Sequence, residues 1–168
     1  MTDEAKDEPK DEPKVSDLGV VAFFAADHAV AVEGKVYVNG GFWNRLNFPS
    51  FPQVLPSMAL VVVVQVPFHE YHRDHTFRMG LEDSDGKPLA LKVEGSFRVG
   101  ADPANEFGDP TQLPMAVALN NVVLERPGDY SFTFSIDEHP MARYPIRAMQ
   151  VAVRMQFELN PPPEEEEN

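Results

Sequence analysis

Apolar and polar residues alternate with a period of two along most of the chain, and the clearest case is His75-Thr-Phe-Arg-Met-Gly-Leu-Glu82. Phe77, Met79 and Leu81 fall on one face there, with Thr76, Arg78 and Gly80 on the other. Asp83-Ser-Asp-Gly86 follows with residues that tolerate the left-handed conformation. The chain then returns through Leu89, Leu91 and Val93, with Ala90, Lys92 and Glu94 opposite. This predicts a β-hairpin. Upstream, Gly19–Ala25 is a β-branched and aromatic run expected to form a strand that the polar pair Asp27-His28 ends. Lys35–Gly41 begins a second strand, with Val36 and Val38 opposed to Tyr37. Its Gly40-Gly41 pair predicts a bulge or a close backbone approach before Phe42 and Trp43. Met58–Val66 is hydrophobic without alternation, as a central strand covered on both sides would be, and Pro67 ends it. Met115–Leu124 predicts a further strand, and Tyr130, Phe132, Phe134 and Ile136 share a face after a Pro-Gly turn. A last strand is expected from Ile146 to about Leu159. Asn47–Pro56 and Asp102–Pro110 read as loops.

No segment carries a sustained helical stripe. Seven or eight strands with turn signals between them predict an all-β sandwich. Leu124-Glu-Arg-Pro-Gly-Asp-Tyr130 has the form of the tyrosine corner of immunoglobulin-like sandwiches, although an ordinary edge tyrosine fits as well. The expected architecture is therefore an immunoglobulin-like β-sandwich over residues 18–159. An acidic tail at 1–17 and a Pro/Glu tail at 160–168 are both expected to be disordered.

Charge sharpens that division. Residues 1–14 carry −3 and Glu164–Glu167 carry −4, which leaves −6 of the total −13 on the body. An acidic body with no basic stripe in sequence argues against nucleic acid and against anionic membranes as partners. There is no cysteine, so no disulfide framework and no thiolate site exists, which fits a reducing cytoplasm. The longest apolar run is too short for the ~20 residues of a spanning helix.

Several of these stretches together resemble a known group of sequences. Ala25-Ala-Asp27, Gly34-Lys-Val-Tyr-Val-Asn-Gly-Gly41 with Trp43, and the valine strand closing in Val66-Pro67 carry the likeness. So do the Phe77–Gly86 hairpin and Pro127-Gly-Asp-Tyr-Ser-Phe132 with Ile136-Asp137. They are similar to an uncharacterised, mostly actinobacterial family, a domain of unknown function. The resemblance covers roughly residues 18–155 and implies a β-sandwich with no assigned activity, cofactor or catalytic residue.

The densest candidate chemistry is Phe68-His-Glu-Tyr-His-Arg-Asp-His75. Zinc hydrolases place two histidines four apart on one helix face with a glutamate between them, whereas His69 and His72 here are three apart. In an extended chain His69 and His75 stand up to ~20 Å apart, too far to share an ion. The stretch is read as a polar interstrand connection, with His69, His72 and His75 kept as weak metal candidates and no cofactor expected. His139 and Glu138 sit in another connection, and Asp27-His28 reads as a strand-end pair in preference to a catalytic dyad.

Phe42, Trp43, Asn44, Arg45 and Asn47 form an aromatic segment flanked by amides and a cation. Rings that stack on apolar ligand faces beside hydrogen-bonding amides suit a ligand or partner surface, and a core tryptophan is the competing assignment. The expected function is a non-enzymatic protein-interaction module working through an open strand edge or residues 42–51. The alternatives are a small-ligand or carbohydrate binder centred on Trp43 and a metal-binding protein using His69, His72 and His75.

Overall fold

A computed structural model describes residues 18–101 and 106–152, and in these the chain forms nine strands and one short 3-10 turn. The strands are β1 (Gly19–Val32), β2 (Lys35–Gly41), β3 (Arg45–Phe48), β4 (Gln53–Val66), β5 (Asp74–Asp83), β6 (Pro88–Arg98), β7 (Thr111–Leu124), β8 (Gly128–Ile136) and β9 (His139–Gln150). They make two sheets, a four-stranded one ordered β2-β1-β4-β7 and a five-stranded one ordered β3-β9-β8-β5-β6. All neighbours are antiparallel except β3 and β9, which run parallel.

The inward residues are those the alternation selects. Tyr130, Phe132, Phe134 and Ile136 of β8 are all buried, as are Met79 and Leu81 of β5. They pack against Leu60, Val62, Val64 and Val66 of β4 across the gap between the sheets. Phe23 of β1 meets Phe134 with ring centroids 5.8 Å apart. Each fully buried side chain of this size contributes about 1.5–3 kcal/mol relative to exposure, which makes this layer the main source of cohesion. Tyr130 Oη donates to the Arg126 carbonyl at 2.6 Å.

Prolines inside strands stand where one side of the strand lacks a partner. Pro114 lies on the edge strand β7, and Pro56 lies on β4 beyond the end of its pairing with β1. Pro140 and Pro145 lie on β9 before β3 joins it. A missing N–H costs little at such places.

Four expectations are corrected. First, β1 does not end at Asp27-His28 but runs on to Val32, because beyond Ala26 it leaves β4 and pairs with β2 alone. Polar residues are admissible on such a two-stranded extension. Its turn is Glu33-Gly34, both with positive φ (50° and 73°), as a two-residue hairpin of matching twist requires. Second, the described residues form nine strands, since Arg45–Phe48 within the aromatic segment forms β3 on the edge of the larger sheet. Third, β4 begins at Gln53 inside the expected proline loop. Fourth, β9 begins at His139 and not Ile146, directly after a two-residue turn at Asp137-Glu138 (φ 47° and 68°). Val153, Met155 and Phe157, expected to extend that strand, lie outside the described residues, as do both acidic tails.

Candidate functional site

Three places hold the residues that sequence reasoning singled out. The first is the crossover from β2 to β3. Gly40 (φ +60°) lets the backbone lie against the Asp27 carboxylate where a Cβ would overlap it, so the predicted close approach is present. Phe42, also at positive φ (65°), donates its N–H to the Ala25 carbonyl at 2.9 Å and stacks on Phe24 with centroids 3.9 Å apart. It remains 70% exposed, a ring laid over a small second cluster of Phe24, Ala26, Ala29, Ala59 and Val61. Trp43 turns the other way: it is half-buried against the main core, its carbonyl accepts from Tyr144 Oη at 3.0 Å, and its Nε1 is buried. Asn44, Arg45 and Asn47 are exposed. The segment therefore splits into one outward ring, one packed indole and three solvated polar residues.

Asn44 and Arg45 help line an open concavity of about 470 Å³ on the larger sheet, together with Asp83, Asp129, Arg143 and Arg147. Most of its charges are matched. Arg147 Nη2 meets Asp129 Oδ2 at 3.0 Å, and Arg143 Nη2 meets Glu82 Oε2 at 2.7 Å. The hydrogen bond from Arg147 holds the Asp129 carboxyl below its usual range. Charge pairing continues over this face, with Arg78 on Glu94 across the strands and Lys92 on Glu94 along β6, so it presents alternating signs and no polycationic track.

The second place is the histidine stretch. Phe68–Glu70 is a 3-10 turn, after which His72 takes a positive φ (63°) and donates its N–H to the Val99 carbonyl at 2.8 Å. His69 and His72 are exposed. His75 does not belong to the exposed polar connection expected for it: it is 3% exposed, because it starts the inward alternation of β5 and stacks on Phe97. Its Nδ1–H donates to Asp137 Oδ2 at 2.7 Å, while Nε2 lies 3.5 Å from Oε2 of buried Glu70, which Arg73 Nη1 approaches at 2.9 Å. Asp137 Oδ1 also accepts from the Thr76 N–H at 2.8 Å. Burial pushes the Asp137 carboxyl up, but the hydrogen bonds from His75 and Thr76 outweigh it and leave the group below its ordinary value.

Among the described residues, His75 Nε2, on the far side of this Asp-His pair, has no hydrogen-bond partner. The nearby hydroxyl, Thr76 Oγ1, bonds Asp137 and not the imidazole, and the ring is sealed beneath Phe97. The arrangement pins the start of β5 to the β8–β9 turn. Among the described residues no group of three or more His, Asp or Glu side chains is placed to hold a metal ion. His139 opens β9 with Nδ1 2.8 Å from the Asp137 carbonyl oxygen, and His28 lies exposed in mid-strand opposite Asn39.

The third place is the β1–β2 extension, which sequence reasoning missed by ending β1 early. Residues 27–32 pair only with β2, and β2 has no partner on its other side among the described residues. Val30, Val32, Tyr37 and Val38 are 41–58% exposed there. An isolated two-stranded ribbon is marginal in water. This one rests on the body through Ala29 and Val36 and leaves the rest of its apolar surface to solvent.

The model for a family described as "Family of unknown function (DUF6941)" matches residues 21–149, and the chain belongs to that family. No curated protein matches its sequence. Among solved structures it is similar to the Pseudomonas fluorescens alkylpurine DNA glycosylase AlkC bound to DNA containing an abasic site analog. That likeness has 8% identity and a TM-score of 0.41, over 79% of this chain and 30% of that one. It is also similar to a β-glucosidase from Listeria innocua in complex with glucose, at 9% identity and a TM-score of 0.39, over 81% of this chain and 16% of that one. The chain thus spans less than a third of either neighbour. Among the described residues no helix is long and apolar enough to cross a membrane.

Proposed function

For a member of a family without an assigned activity, we propose a non-enzymatic interaction module that binds by adding a strand to the outer edge of β2. The observation that carries the reading is that edge. It is a strand with no proline and a single charge at its first residue, unpaired on one side among the described residues and flanked by exposed Val30, Val32, Tyr37 and Val38. Natural edge strands are usually shielded by charges, prolines or bulges, and strand addition uses those that are not. Main-chain hydrogen bonds supply the affinity, and the valines and the tyrosine on the two faces supply selectivity.

Affinity capture from the native host tests this, with wild type compared to Val38→Pro. Proline at an edge position whose N–H faces solvent leaves the fold intact while deleting one donor. Loss of captured partners at unchanged thermal stability is the expected result. An identical partner set for both proteins would sink the reading.

A second reading has one specific observation behind it, the concavity to which Asn44 and Arg45 contribute. A polar small ligand, a sugar among them, would sit there, against the two residues that follow Trp43 in the chain. Saturable change of the single tryptophan's fluorescence across a sugar panel supports it, and a flat response removes it.

A further inference from the structure

We infer that the partner which the β2 edge fits is a second copy of this chain, joined through a two-fold antiparallel β2–β2 seam centred on Tyr37. The inference rests on the strand-addition reading above and names its occupant.

Ladder geometry sets the register. The Glu33-Gly34 turn makes Val32 and Lys35 the first hydrogen-bonded pair of the hairpin, so Val30 and Tyr37 form the next such pair. Tyr37 therefore spends its backbone groups on β1, and Val36 and Val38 turn their N–H and C=O outward. Regular extension stops after Asn39, because Gly40 takes φ +60° against Asp27. The usable edge is Lys35–Asn39, whose midpoint is Tyr37. Two copies related by a two-fold axis there place Val36 opposite Val38 of the other copy, twice. Each pair exchanges both of its outward hydrogen bonds, and Tyr37 faces Tyr37 in the close, non-hydrogen-bonded position.

The side chains agree with the backbone. Cross-strand rows through both hairpins read Val30-Tyr37-Tyr37-Val30 on one face and Ala31-Val36-Val38-Ala29 on the other. Every member is apolar or aromatic, the pairings that stabilise antiparallel ladders most. The only charge on β2, Lys35, falls opposite Asn39 of the other copy, so no like charges meet across the seam. That matters for a chain of net charge −13, whose copies repel one another. The product is a continuous eight-stranded sheet with both β2 edges covered.

Sedimentation equilibrium of the full-length protein over a wide concentration range reads the association. Wild type is expected to dimerise reversibly. Tyr37→Lys and Tyr37→Glu each put two like charges face to face at the axis, and each should weaken the dimer at least about tenfold. An equimolar mixture of Y37K and Y37E should recover association as a heterodimer, which no general loss of stability can imitate. Val38→Pro removes two of the four seam hydrogen bonds and should also weaken it. A monomeric wild type, an undisturbed Y37K dimer, or failure of the mixture to associate overturns the inference. If capture of other proteins remains sensitive to Val38→Pro in that event, strand addition survives with a different occupant.

Discussion

Gly40 shows how a single residue sets local architecture. Its positive φ is open to glycine at little cost, and the space a Cβ would need holds the Asp27 carboxylate. Gly40→Ala should therefore destabilise by about 2–3 kcal/mol, combining a strained backbone with displacement of a charged group. Gly34→Ala, where nothing lies near the added carbon, should cost about 1 kcal/mol. Equilibrium urea unfolding of the two variants checks the difference. Asp137 contributes to the pH dependence. A carboxylate held below its ordinary value adds stability that is complete above the unfolded-state pKa of about 4 and is lost as pH falls through the folded-state value. Asp137→Asn should thus melt below wild type at pH 7, and the gap should narrow below pH 4. A gap independent of pH would remove the His75 and Thr76 contacts as its cause.

At the scale of elements, β8 supplies much of the larger sheet's share of the core. Its four inward aromatics and aliphatics are all buried, and it lies between β5 and β9. Phe132→Ala should cost about 3–5 kcal/mol, measured by denaturant midpoint, whereas Val123→Ala on the edge strand β7, 44% exposed, should cost less than about 1 kcal/mol. The same contrast explains what could be read from sequence. β8 and the β5–β6 hairpin have one wet and one dry face, so period-two alternation exposes them directly. β1 past Ala26 has two largely wet faces and hence no such signature, and Asp27-His28 looked like its end. β3 is four residues long and set among prolines, and its strand character comes from pairing with β9 about a hundred residues later. His75 is the same case at the site. The alternation Phe77-Met79-Leu81 already placed residue 75 on the dry face, but its partner Asp137 stands 62 residues away in the chain. Only the closed fold brings them together.

For the whole molecule, the division of labour follows from which edges are guarded. β7 carries Pro114 and an Asn121 in the left-handed conformation, and β6 begins with a proline and alternates Lys92, Glu94 and Arg98 along its wet side. These are devices that discourage further pairing. Between Lys35 at its start and the left-handed Gly40 near its end, β2 has none of them over residues 36–39, and it belongs to a hairpin that the body supports only in part. Residue-resolved amide exchange of the dilute, monomeric protein tests that claim most directly. The account predicts alternation along β2, with the Tyr37 amide protected by β1 and the Val36 and Val38 amides exchanging at rates near those of an unfolded chain. Equal protection of all three would mean that the outer side of β2 is already paired, and would contradict the account.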